Sequence, residues 1–351
     1  MSTIKDVAKL AGVGVATASR ALSGTGSVSD ETAARVRAAA QQLGYRPSSI
    51  ARALTLQRSG AIGVYVPIFD TFFYSAIVAT IGAVLRDAGR HMVAANGCGD
   101  GSARQQALDG IDFLIGRDCD GLLVACHSIT DDDLAALMQR NGHTIVINRS
   151  VPGYAERSFT ADHELGGRLV ARALLARGHR EIAVIRGPRD APDNLARMHG
   201  FIDELACHGI RVRAEHDTDG NFDLSSGDRA MNRLLDQAAS PGGGRPAFTA
   251  LFAASDLMAM AAITRLVQSG LRVPDDVSVI GYDDADFAAY TSPPLTTLRI
   301  PIAEVAASAC RQALNLCYGL DLPVTRDFAP QIVWRQSVGV GPHAPLDRAS
   351  F

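Results

Sequence analysis

The sequence predicts a two-part molecule: a small all-α head built on a helix-turn-helix, then an α/β body of two doubly wound parallel-sheet subdomains. Three observations carry that reading. Small and apolar residues recur at helical spacing through residues 3–44. Beyond residue 60, short apolar strands alternate with amphipathic helices, the pattern of parallel sheets covered on both faces. The charge also changes sign between the parts. Residues 1–60 hold eight Lys/Arg against three acids, so with −3 overall the remainder carries eight more acids than bases. A basic head on an acidic body points to a polyanion partner for the head, although a solvated basic helix bundle would show the same balance.

In the head, Thr3 with Asp6 reads as a capping box opening a helix whose Ile4, Val7, Ala8 and Ala11 share one face. Gly12 stops it where a left-handed residue is wanted. A second short helix carries Val15, Ala18 and Leu22 on one side and Ala16, Thr17 and Arg20 on the other. Two short helices, a Gly-containing turn and small Ala8 at the crossing make a helix-turn-helix. Ser29-Asp-Glu opens a third helix with Ala33, Val36, Ala40 and Leu43 at helical spacing and Gly44 as its stop. The run Tyr45-Arg-Pro-Ser-Ser-Ile-Ala-Arg-Ala-Leu54 follows. Pro47 suits a first helical turn, yet the segment is too short to be a stable helix alone. A segment that coils only when docked suits a hinge.

In the body, strands are predicted at Ala61–Val66, Met92–Ala95, Gly121–Val124 and Thr144–Ile147, with helices over Phe73–Ala88, Ser102–Ile115 and Asp131–Arg140. A second series begins after Ser158–Ala161. Its strands are Ile182–Ile185, Ala250–Ala253 and Val277–Tyr282, among helices Glu164–Arg177, Asn194–His208, Leu224–Ala238 and Asp256–Ser269. The loop at 240–246, rich in Pro and Gly, reads as a tolerated surface insertion. No apolar run approaches a membrane span, and the N-terminus leads straight into an amphipathic helix rather than a signal peptide. The six Cys (98, 119, 126, 207, 310, 317) form no CxxC pair. Cys310 and Cys317 share a helix face and read as small buried hydrophobes. The nine His are scattered, and no metal site is expected.

TIKDVAKLAGV, SRAL and YRPSSIARAL together resemble the headpiece and hinge of the LacI/GalR family of bacterial repressors. The resemblance implies a head over 1–46, a hinge helix and linker over 47–60, and a periplasmic-binding-protein-like core over 61–351. By the same resemblance, the N-subdomain takes about 61–160 and 292–322, the C-subdomain about 161–291 and 323–340. Strand 294–298 and helix 303–317 would thus return to the first subdomain, and 332–338 to the second. The resemblance also places DNA contacts at Val15, Ala16, Thr17, Arg20, Ser29, Tyr45, Ser48, Arg52 and Leu54. Arg20 can pair bidentately with guanine, whereas Val15 and Ala16 offer apolar contact only. Leu54 would wedge into the minor groove from a hinge helix paired across a two-fold axis, with Ala51 and Ala53 small enough for the approach. Gly14 and Ala18 stand where the family usually has Ser and Val.

Ligands in open α/β sheets bind beyond the carboxyl ends of the strands. The residues there that match the family pattern are Asp70, Phe72, Phe73, Asn148, Arg149, Arg197, Phe222, Asp256 and Asp283. They offer carboxylates and guanidiniums to clamp hydroxyls, and aromatic faces for a sugar ring. Each also has a plainer reading: Phe72 or Phe73 as core, Asp256 as a helix cap, Asp283 as an Asx-turn, Arg149 in a surface salt bridge. Thr71 replaces a family Pro, and Ala191-Pro192 also departs from the pattern. Asn96-Gly97, Cys119–Val124, Ile129–Met138 and Ile147–Gly153 resemble the galactose repressor and isorepressor branch. The resemblance therefore implies a cytoplasmic homodimeric repressor without a cofactor, released from operator DNA by a monosaccharide or galactoside. A purine or nucleoside corepressor is the alternative within the family. Outside it stand a sugar receptor with no DNA role and an enzyme on a similar frame. No phosphate loop, nucleophile elbow or metal cluster supports an enzyme. Only thirteen residues follow Val338, without heptads, so no tetramerising tail is expected.

Overall fold

A computed structural model describes residues 2–23, 27–45, 58–97, 99–237 and 246–344. The expected hinge, with Pro47, Ser48, Ala51, Arg52, Ala53 and Leu54, lies outside the described residues, as do Cys98 and most of the 240–246 loop.

The head consists of α1 (Ile4–Ala11), α2 (Val15–Ser23) and α3 (Asp30–Gln42). The Asp6 carboxylate reaches back to the Thr3 N–H at 2.8 Å, and Gly12 ends α1 at φ 66°. Val7, Ala8, Ala11, Ala18, Val36, Ala39 and Ala40 fill the core. Alanines dominate it, which lets three short helices approach closely around a core too small for larger side chains.

The first sheet holds β1 (Ala61–Tyr65), β2 (His91–Ala95), β3 (Gly121–Val124), β4 (Thr144–Ile147) and β5 (Ser158–Phe159), in order β2-β1-β3-β4-β5 and parallel throughout. Its connecting helices are α4 (Phe72–Asp87), α5 (Ala103–Ile115) and α6 (Asp131–Arg140). Then come α7 (His163–Ala176), β6 (Ile182–Arg186), α8 (Pro192–Cys207), β7 (Asp217–Asp219), α9 (Leu224–Gln237), β8 (Ala250–Ala253), α10 (Asp256–Gln268) and β9 (Ser278–Asp283). The chain ends with β10 (Thr296–Arg299), α11 (Ile302–Tyr318) and β11 (Gln331–Val333). The second sheet runs β11-β10-β9-β8-β6-β7, parallel except for β11.

One expected assignment is corrected. Strand 294–298 does not return to the first subdomain, because β10 pairs with β9 in the second sheet, Thr297 opposite Gly281. The chain crosses after β10, and it is α11 that packs on α4 and across β3, β4 and β5. Alternating strands and helices report that a strand exists but not which sheet edge takes it. Here the Thr297 hydroxyl donates to buried Asp256 at 2.5 Å, a partner the second subdomain alone supplies. Two short strands also escaped the periodicity. β5 is two residues long, and β7 is the polar Asp-Thr-Asp edge, held by Arg186 on Asp217 and Arg189 on Asp219.

Helices α7 and α8 cross through glycines. A Cβ on Gly167 would collide with the Arg197 carbonyl, one on Gly200 with the Glu164 carbonyl, and one on Gly166 with the Tyr282 hydroxyl. That close crossing sets the start of α7 beside Arg197 on α8. At the root of the linker, Asp120 accepts the N–H groups of Ser59 and Gly60, both at 2.7 Å, and the Tyr318 hydroxyl at 2.6 Å. Cys310 and Cys317 are buried on α11 as expected.

Candidate functional site

On the head, Ala18 is buried and Leu22 half-buried, while Ala16 and Arg20 face solvent. Val15 differs from its expected place beside Ala18: it is 43% exposed and joins the outer face. At the first turn of α2 it lies beyond the small alanine core. Arg20 Nε donates to the Ala16 carbonyl at 3.2 Å, so Val15, Ala16 and Arg20 form one outward patch, with Thr17 half-buried at its edge. The Ser29 hydroxyl is engaged at the start of α3, accepting from the Thr32 N–H and donating to its hydroxyl. Tyr45 packs half-buried against the head core.

In the body, residues at the carboxyl ends of both sheets meet between the subdomains. Asn148 follows β4 in a left-handed conformation, φ 63°, which asparagine tolerates. Its Nδ2 donates to Asp193 Oδ2 at 3.3 Å, across from the first subdomain to α8 of the second. Asp193 sits in the first turn of α8, where Pro192 occupies an N-terminal position and a carboxylate suits the helix dipole. Four residues on, Arg197 donates Nη2 to the same oxygen at 3.4 Å and Nη1 to the Ala254 carbonyl. The guanidinium lies 3.6 Å over the Tyr282 ring and 5.5 Å from the Phe222 centroid. Arg197 is only 2% exposed, and its Nε has no hydrogen-bond partner among the described residues. His163 closes the cluster, with Nε2 2.9 Å from Asn148 Oδ1 and Nδ1 3.0 Å from the Tyr282 hydroxyl.

Phe222 holds φ 59° and stands over Gly187, where a Cβ would collide with its ring. Asp283 and Asp284 hold φ 115° and 59°, a strained turn kept by its surroundings. Asp284 is gripped by Arg299 and Arg335, each at 2.6 Å, and the Ala285 N–H binds Asp256 at 2.8 Å. Between the subdomains, Phe72 at the start of α4 meets Phe287, ring centroids 4.8 Å apart. Phe73 packs against the core and, edge-on at 5.2 Å, against Tyr74. Thr71, where the family pattern has Pro, caps α4 by accepting from the Tyr74 N–H.

The structure thus brings together Asn148, Arg197 and Phe222, and sets Asp283 on the adjoining turn. Others serve elsewhere. Arg149 turns away to Asp131 (2.7 Å) and the Ile129 carbonyl, bracing the start of α6. Asp256 is fully engaged beneath the floor by Thr297 and Ala285; Ser255, not Asp256, caps α10. Asp70 is exposed on its loop. Sequence reasoning missed His163, Asp193, Tyr282 and Asp284. Asp193 had a signal, an acid four residues before Arg197 at a helix start. His163 and Tyr282 had none, because only the fold joins them.

Burial shapes the titration of the cleft. It pushes Asp256 up to about 7 against the hydrogen bonds from Thr297 and Ala285. Asp283 is raised well above the usual carboxylate range by burial, despite nearby Arg197. Burial, then the Arg197 charge, depresses His163 to about 4, and burial lifts Tyr282 above its ordinary value.

Residues 3–48 match the model of bacterial regulatory proteins of the lacI family, and residues 171–338 that of a periplasmic binding protein-like domain. The HTH-type transcriptional regulator GalS of Salmonella typhimurium is 37% identical over 99% of both chains. The chain belongs to the LacI family. A solved LacI-family regulator from Burkhoderia phymatum is 42% identical, with TM-score 0.76 over 80% of this chain and 99% of that one. A lac repressor dimer, solved bound to operator and an anti-inducer, shares 27% identity with TM-score 0.84, covering 96% and 99%. As a LacI-family member the protein is a DNA-binding transcriptional regulator and not an enzyme. Among the described residues no helix is long and apolar enough to cross a membrane.

Proposed function

We propose that this regulator is a cytoplasmic repressor that binds a two-fold operator as a homodimer and takes a neutral, galactose-type sugar as its effector. The observation that carries the ligand class is the paired guanidinium of Arg197 set between two aromatic rings. Arg197 is already balanced by Asp193, while burial raises Asp256 to about 7 and Asp283 well above the usual carboxylate range. Arg197, the cation beside the two aromatic rings, is thus already paired and poorly placed to recruit a phosphate or carboxylate. What remains is a buried guanidinium with an unpartnered Nε, beside Tyr282 and Phe222, which suits hydroxyls and a sugar ring. Relatedness to GalS supports the galactose branch.

In this reading Val15, Ala16 and Arg20 meet base edges in the major groove, and Leu54 of the hinge wedges into the minor groove. A sugar bound between the subdomains reorients them, and the linker root at Ser59-Gly60 passes that change to the hinge. If sugar weakens operator binding, operator weakens sugar binding by the same factor.

Two measurements test this. In calorimetric titrations with D-galactose, other neutral monosaccharides, sugar phosphates and purines, a neutral sugar is expected to bind; binding of purines alone overturns the effector class. In gel shifts on the protein's own promoter, operator affinity is expected to fall steeply with salt. A flat salt response overturns the operator reading.

A further inference from the structure

We propose that His163 is the positioning residue of the cleft: it fixes the Asn148 amide so that Nδ2 faces Asp193 and the effector, making Asn148 a hydrogen-bond donor to the ligand. The ligand half rests on the effector reading above; the geometry does not.

Five side chains form a closed circuit. Asn148 binds Asp193, Asp193 binds Arg197, Arg197 stacks on Tyr282, Tyr282 binds His163, and His163 returns to Asn148. One direction of donation satisfies every link. The Asp193 carboxylate can only accept, so the Asn148 atom facing it is Nδ2 and the atom facing His163 is Oδ1. His163 Nε2 must then carry the proton, which leaves Nδ1 bare to accept from the Tyr282 hydroxyl. A flipped amide would set its carbonyl oxygen against the carboxylate at 3.3 Å, two acceptors in repulsion. Imidazole tautomer and amide orientation are therefore one choice. Burial and Arg197 hold His163 neutral, so that choice stands at neutral pH. The second hydrogen on Nδ2 is left for an acceptor oxygen of the ligand, a hydroxyl, ring or carbonyl oxygen, and disfavours an N–H or ammonium there.

His163 also has the place for this task. It opens α7 immediately after the first crossing between the sheets, is 4% exposed, and binds one residue from each subdomain. Gly166 keeps the space the Tyr282 hydroxyl needs, since a Cβ there would strike it.

The test uses the full chain with 15N-labelled histidine, the His163 signal being assigned by its loss in His163→Gln. A neutral Nε2–H tautomer at pH 7 is expected; an Nδ1–H tautomer or an imidazolium overturns the proposal. D-galactose titration supplies the second readout. His163→Ala is expected to weaken binding about tenfold, the scale of one mispaired buried hydrogen bond. His163→Gln, whose amide can still donate to Asn148, recovers most of it. Equal affinity in wild type and His163→Ala overturns the positioning role. If no sugar binds the wild type, the effector reading fails, and the tautomer alone decides the fate of this proposal.

Discussion

The amide of Asn148, at the end of β4, donates at 3.3 Å to Asp193, the carboxylate that also takes Arg197 at 3.4 Å. One oxygen thus serves both subdomains, and the joint between them is polar and half-buried. Asp193→Ala leaves Arg197 buried without its counter-charge, a loss on the order of 3–5 kcal/mol. Urea unfolding should show it, with D-galactose binding falling in parallel. A variant as stable as wild type would mean that Arg197 finds another partner.

Gly187→Ala probes the aromatic wall. The added methyl meets the Phe222 ring, which must swing off Arg197. Overpacking of this kind costs about 1–3 kcal/mol. The expected signature is weakened sugar binding with a lower melting temperature, and a displaced Phe222 in a crystal structure of the variant.

The pH dependence of stability separates two buried groups. Asp256 is raised from 3.8 to about 7 in the folded state, so between those values the folded protein holds the extra proton. Its contribution is present below about 4 and is lost as pH rises through 7. His163 is depressed from 6.5 to about 4, so there the unfolded chain holds the extra proton. Its contribution is present above 6.5 and is lost as pH falls through 4. Relative to wild type, Asp256→Asn should tilt stability upward with pH across the window. His163→Gln should tilt it downward between about 4 and 6.5. Each difference approaches about 1.4 kcal/mol per pH unit, the value of one proton. Thermal melts at four pH values check both signs.

The head and hinge should fail in different ways. Arg20→Ala, which removes the guanidinium proposed to pair with a base edge, should cost about 1–3 kcal/mol of operator affinity and relax specificity at one base pair. Leu54→Ala should spare the fold of the head yet cost much of the operator affinity; unchanged affinity in gel shifts would remove the wedge role.

How far the residues alone could lead varies with the kind of signal. Capping by Ser29, the stop at Gly12 and the apolar strands at 121–124 and 144–147 are local, set by neighbours within a turn or a pleat, and they stand where expected. Helical spacing put Val15 beside Ala18, against the outward place that the resemblance gave it, because spacing gives a face but not how far the opposing core extends. Arg149 and Asp256 had the right type and the right strand-end position for ligand contacts. Their partners, Asp131 and Thr297, lie 18 and 41 residues away.

By itself, then, the order of residues determined a basic three-helix head and the alternation of buried strands with amphipathic helices. Periodicity, caps and charge act over a few residues and survive in one dimension. Only the tertiary structure decided that β10 stays with the second sheet, that Arg149 turns away, and that His163 joins Asn148 to Tyr282, 119 residues further along the chain from it. A hydrogen bond has a range of about 3 Å, and which distant side chains come within it depends on how the sheets and the glycine-crossed helices α7 and α8 pack.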